Sequence, residues 1–214
     1  MERKNYLAIM KTFFMALLFL AIGSIIGVLI IPPSVRYMLN IAFFVLVLFS
    51  IFSRKGGFIK SKGSMYAYAF ILGILTGSTY VYYFATLGSD LFLSAVLGVI
   101  LVFGLAYIVA SKTSEESMFK ISSMIWPLIF SLLILEFLNI FLFKFGTFDL
   151  ILSTIGVLVY SLYAIVIMKS VQSRCRYGVL SETEVVQLSY SIFISFLNLL
   201  LDILRILAIV KDND

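Results

Sequence analysis

The chain has 214 residues, 62% of them hydrophobic and 13% charged, with a net charge of +5 and a mean hydropathy of +1.12. A soluble domain carries about 45–50% apolar and about 25% charged residues, so this composition excludes a water-soluble globule and, equally, a disordered chain. With no histidine and a single cysteine, Cys175, it also excludes histidine-ligated metals, Ser-His-Asp or Cys-His catalysis and an internal disulfide.

At about 20 residues per membrane helix plus a short loop, the length admits roughly seven spans. Apolar runs predict them at about 12–31, 35–52, 65–87, 91–111, 121–143, 148–168 and 185–210. Each run is too long and too uniformly apolar for a transmembrane strand. The expected fold is an all-α membrane protein, a single seven-helix domain over 1–214. The first run is too long for a secretory signal and lacks a small-x-small cleavage site, so it is expected to stay as the first helix.

Connectors support this division. Ile31-Pro32-Pro33-Ser34 ends one helix and starts the next. Gly88-Ser89-Asp90 reads as a minimal turn whose Ser89 or Asp90 caps the fourth span. Thr113-Ser114-Glu115-Glu116 and Ser181-Glu182-Thr183-Glu184 have the form of capping boxes opening the fifth and seventh spans. Lys144-Phe145-Gly146-Thr147 is a further tight turn, and Pro127 is expected in the first turns of the fifth span, where it can kink the helix. Gly23-x-x-x-Gly27 and Gly73-x-x-x-Gly77 place small residues one turn apart. Such pairs allow close helix approach, within one chain or at a homodimer seam.

Alternate loops differ sharply in charge. One side holds twelve basic residues (Arg3, Lys4, Lys11, Arg54, Lys55, Lys60, Lys62, Lys112, Lys120, Lys169, Arg174 and Arg176) and the other three, Arg36, Lys144 and Lys211. By the positive-inside rule the N-terminus is cytoplasmic, and an odd number of spans puts the C-terminus outside. The lack of a long soluble tail suggests a prokaryotic cell membrane.

Three ionisable residues fall well inside spans: Glu136, Asp202 and Arg205. A charge at the bilayer centre costs about 3 to more than 10 kcal/mol, so each is expected to face protein or water. In the last span Glu184, Gln187, Ser191, Ser195, Asn198, Asp202 and Arg205 recur at helical spacing, forming one polar face. That places the last helix centrally. Asn139, three residues after Glu136, extends the polar face of the fifth span. Two readings stay open. Arg205 pairs with Asp202 or Glu136 as a structural clamp, or the face is an ion or proton path that binds or gates a cation. Without histidine, any pH response belongs to these carboxylates. Tyr66, Tyr68, Tyr80, Tyr82 and Tyr83, with Thr76, Ser78 and Thr79, suit an interfacial belt or a cavity lining.

The run from Ser189 to Leu207 resembles the last helix of the transmembrane Bax inhibitor motif family, roughly Leu-Tyr-Leu-Asp-Phe-Ile-Asn-Leu-Phe-x-x-Leu-Leu-Arg. Phe196, Asn198, Leu199, Leu204 and Arg205 match that pattern. Gly156 to Tyr163 is similar to the family's sixth helix, Leu138-Asn139-Ile140-Phe141 to the end of its fifth, and Leu75-Thr76-Gly77 more loosely to its third. The resemblance implies a seven-helix bundle with the last helix surrounded by six. It also implies a pH-sensitive calcium leak or, as in eukaryotic members, suppression of cell death. The family's aspartate pair falls on Ser195 and near Ile167, so that sensor is expected to be absent here, whereas Arg205 carries over.

No intramembrane protease motif, phosphate loop or retinal lysine occurs, so neither an enzyme nor a cofactor is expected. The expected surroundings are the lipid bilayer and calcium or another cation, with no nucleic acid and a monomer or weak homo-oligomer. A non-conducting regulator of cell stress or protein quality control, acting through the cytoplasmic loops, is the alternative to a channel.

Overall fold

A computed structural model describes residues 2–32, 34–35, 38, 59–138, 146–176 and 178–212, with the side chains of these residues apart from 136–138, 146 and 147. Among them the chain is wholly helical: α1 Glu2–Ile30, α2 Lys62–Lys112, α3 Glu115–Leu138, α4 Gly146–Arg176 and α5 Glu182–Asp212. All five helices are long and apolar enough to cross a membrane. Five elements, not seven, are therefore seen, and the expected span at 35–52 lies almost wholly outside the described residues.

The 51-residue α2 cannot be one rod, since a straight helix of that length would reach about 77 Å against a hydrocarbon core of about 30 Å. It breaks at Gly88, where φ is 81° and ψ 171°, a conformation that L side chains rarely adopt. This is the turn expected between the spans at 65–87 and 91–111. The carbonyls that end the helix before Gly88 find a cation: Lys211 Nζ donates to Thr86 O at 2.7 Å and lies 3.4 Å from Leu87 O.

Helix ends overrun the apolar runs because caps, not hydropathy, set them. At α3 the capping residue is Ser114, one place later than expected, its Oγ accepting from Ser117 N at 3.2 Å. The helix thus starts six residues before the apolar run, and Pro127 lies near its middle rather than in its first turns. For α5 the expected box forms: Glu184 Oε2 accepts from Ser181 N at 3.0 Å, and Ser181 Oγ accepts from Glu184 N at 3.3 Å.

The helices fall into two compact units, Met1–Tyr82 with Gly178–Phe193, and Tyr83–Tyr177 with Ile194–Asp214. In the first, α1 and α2 touch backbone to backbone. A Cβ built at Gly73 would stand 2.9 Å from Ser24 N, and one at Gly27 would stand 2.7 Å from Ile74 Cα. Gly23 and Gly77 are filled in the same way, by Phe70 and Ser24. Both glycine pairs are thus spent on packing within the chain. Buried Asn5 then pins the segment leading into α5, donating to Gly178 O at 2.6 Å and accepting from Leu180 N at 3.3 Å. Ser189 Oγ, fully buried, lies 2.9 Å from Ile9 O and ties α5 to α1.

In the second unit α3 packs along α4, and α4 and α5 both contribute buried apolar side chains. Leu152, Ala164, Val171, Leu199 and Leu204 are almost entirely buried. Lys169 ties α4 to the α2–α3 connection by donating to Thr113 O at 2.7 Å, with Glu115 Oε1 at 3.5 Å. Gln172 Nε2 likewise reaches Tyr107 O at 2.8 Å.

Candidate functional site

Of the five helices α5 is the most buried, with 56% of its most apolar window covered against 17–39% elsewhere. Its polar face divides between the two units. In the first, Glu184 is consumed by the capping box and Gln187 is exposed. Ser191 donates back to Gln187 O at 3.0 Å. None of these three side chains turns into a packed interior, so the expected continuous inward stripe is interrupted there.

In the second unit Ser195 and Asp202 are 0% and 2% exposed, and Asn198 is half-buried. Asp202 and Ser195 lie seven residues apart, two turns along the same helix face. The Ser195 hydroxyl has no hydrogen-bond partner among the described residues, although a helical serine can commonly bond back to a carbonyl of the preceding turn. The Gln172 Oε1 is in the same position.

Asp202 sits against α4. Gly156 has no side chain there, and the carboxylate occupies the space a Cβ would take, with Asp202 Cγ 2.8 Å from that point. Arg205, one turn on, places Nη1 4.0 Å from Asp202 Oδ1, which is an electrostatic contact rather than a hydrogen bond. The same Nη1 donates to Ser153 Oγ at 3.2 Å, and Ser153 is fully buried on α4. Ser153 with Arg205 and Gly156 with Asp202 define antiparallel helices whose polar groups meet over one turn of α4. A charge held this far from water needs such compensation, and the guanidinium beside it supplies part of it.

The anticipated residues are thus only partly brought together. Asp202 and Arg205 form one centre, with Ser195 and Asn198 on the same helix. The Glu136 side chain and Asn139 lie outside the described residues. Ser153 and Gly156 were not anticipated as site residues. The one available signal is their spacing of three on an apolar helix, which becomes informative only once the α4–α5 register is known. At the two places where the family resemblance sets aspartates, Ser195 and Ile167 are both buried. Among the described residues no three His, Cys, Asp or Glu side chains gather as a metal site.

The tyrosines are mostly packing groups. Tyr66 stacks on Phe19 with ring centroids 5.2 Å apart, and Tyr68 meets Tyr190 edge-on at 5.4 Å.

Helices that can span a bilayer, two of them sealed around a buried carboxylate, define an integral membrane protein with an intramembrane polar centre. Over residues 2–212 the chain matches the protein family described as inhibitor of apoptosis-promoting Bax1. It belongs to this family, the Bax inhibitor-1-like transmembrane proteins.

Proposed function

We propose that the protein is a cation leak channel, with calcium as the first ion to test, whose path follows the polar face of α5 and is closed at the Asp202–Arg205 centre. One observation carries this reading. A carboxylate only 2% exposed lies on the same face as a buried hydroxyl without a hydrogen-bond partner among the described residues. A wall built solely to lock helices gains by saturating its polar groups, whereas a wall that serves an ion or water keeps some in reserve. Family membership supports a channel or a regulator equally.

The architecture in this proposal has seven spans, with the segment at 35–52 adding one and the Gly88 break dividing α2. The last helix is central and the N-terminus cytoplasmic, as the twelve-to-three distribution of basic residues suggests. The protein acts without catalysis, as a monomer or weak homo-oligomer. Lacking histidine, it would respond to pH through carboxylates, Asp202 and Glu136 first.

Purified protein in phosphatidylcholine vesicles holding a calcium dye tests this. Uptake above protein-free vesicles is expected, with loss of its pH dependence in Glu136→Gln/Asp202→Asn. Unchanged flux in that double variant refutes the assigned path. No flux at all favours the non-conducting regulator.

A further inference from the structure

We infer that the second half of α2, residues 89–112, is a door helix: it turns as a rod about Gly88 and the 113–114 connection, and its outward swing uncovers the turn of α5 that carries Ser195. The inference rests on the leak reading and adds which element moves to admit water and ions to the path.

Both ends of this rod are breaks in the helical backbone. At Gly88 the break is a φ of 81°, and a Cβ there would meet nothing within 4 Å, so the turn has room around it. Hinges are commonly such element-terminal positions, which absorb the change in φ and ψ. At the other end α2 stops at Lys112 and α3 starts at Glu115, leaving two residues between the helices. The outer hinge is anchored on its fixed side, since Lys211 of α5 holds the carbonyls of Thr86 and Leu87, which precede Gly88. The inner hinge is tied from α4, by Lys169 Nζ on Thr113 O at 2.7 Å and by Gln172 Nε2 on Tyr107 O at 2.8 Å. Each tie joins a side chain to a backbone carbonyl, so it can part while the helix keeps its own hydrogen bonds. Gln172 Oε1 is buried without a partner among the described residues. Water that reaches this tie therefore gains a bond that the shut form lacks.

The rod is seated through short side chains. Ala95, Val99, Ala106 and Ala110 are each 3% exposed or less, whereas Leu93, Leu97, Leu101 and Leu105 keep 57–67% of their surface open. A helix seated in this way withdraws no long side chain from the interior when it swings. Phe103 marks what the door covers. Its ring lies 6.2 Å from that of Phe196, the residue after Ser195 on α5. Ser195 is 0% exposed and its hydroxyl has no hydrogen-bond partner among the described residues. It lies two turns before Asp202, on the approach to the Asp202–Arg205 centre.

Full-length protein carrying Val99→Cys in a Cys175→Ala background, so that one thiol reports, is reconstituted in phosphatidylcholine vesicles. Labelling by a charged, water-soluble thiol reagent, amide exchange over 95–105 and calcium uptake are measured on the same samples. Leu101→Cys, on the open side of the same helix, is the control for a thiol that meets lipid.

Slow labelling of Val99→Cys is expected with the ties intact and with Lys169→Arg, which keeps a donor. Labelling should quicken about tenfold or more in Lys169→Met/Gln172→Met, with calcium uptake rising in parallel and amide exchange unchanged, because the rod moves without melting. If the double variant does not insert stably, Gln172→Met alone carries the test, since it leaves every charge in place. Fast labelling with the ties intact, or unchanged labelling once they are removed, overturns the door. So does amide exchange that rises with labelling, or equal labelling of Leu101→Cys, since either means that the helix unfolds or leaves the membrane. Faster labelling of Val99→Cys without calcium uptake in any protein overturns the leak reading and leaves the door helix standing.

Discussion

Replacing Gly73 by alanine is the sharpest test of how the first unit is held. The new Cβ would stand 2.9 Å from both Ser24 N and Leu20 C, whereas ordinary contacts begin near 3.4 Å. Relief requires α1 and α2 to separate by about half an ångström at these atoms and by more at the Leu20 carbonyl. Backbone cannot swing aside as a side chain can, so the cost should lie towards the upper part of the usual overpacking range, about 1–3 kcal/mol. Helices in lipid gain little from apolar burial against each other, so lost packing is not recovered elsewhere. At about 2–4 °C per kcal/mol for a chain of this length, Gly73→Ala should lower the midpoint of thermal unfolding by about 4–10 °C. The midpoint is read in mild detergent as loss of monodisperse protein. Gly98 and Gly104 are internal controls, because a Cβ at either meets nothing within 4 Å. In those helix interiors alanine should be neutral or stabilise by up to about 1 kcal/mol. Equal tolerance of alanine at Gly73 and Gly98 would refute the backbone seam.

Other contacts give graded expectations. Asn5→Ala removes the partner of both Gly178 O and Leu180 N and should cost about 1–3 kcal/mol, while Asn5→Asp should be worse, because a carboxylate cannot donate to Gly178 O. The same detergent melt checks both variants. The two lysine ion pairs should differ. Lys169 is 14% exposed and its replacement by Met should cost about 1.5–3 kcal/mol, whereas Lys120, paired with Glu116 at 71% and 79% exposure, should change stability by less than about 1 kcal/mol when truncated to Ala. Ser181→Ala removes an N-cap and should destabilise by about 1 kcal/mol, visible as faster amide exchange over 182–185. Equal exchange in the variant and the parent would show that the cap contributes nothing.

Much of the fold is legible in the sequence because the bilayer imposes a crude length rule. Six of the seven apolar runs fall on helices or halves of helices among the described residues, and Gly88 marks its own break. The α5 cap is readable since its Ser-x-x-Glu spacing satisfies local donors without tertiary help. What escapes is whatever depends on register. Asn5 looks like any polar residue near a charged N-terminus, yet it is buried because the segment at 178–180 folds onto it. Gly156 and Ser153 are unremarkable on an apolar helix until α5 is laid alongside. Conversely, helical spacing groups Glu184 and Gln187 with Asp202, but spacing alone does not tell a face that ends at a cap from one that continues inward. Hydropathy also misplaces helix ends, as at α3, where Ser114 rather than the first apolar residue decides the start.

The most direct test of the central claim is the current carried across a planar bilayer separating unequal calcium chloride solutions, with the wild-type chain and Asp202→Asn compared side by side. A current that reverses towards the calcium equilibrium potential is expected, with a change in its size or selectivity when Asp202 loses its charge. No current above that of the bare bilayer, or a current indifferent to Asp202→Asn, would contradict it.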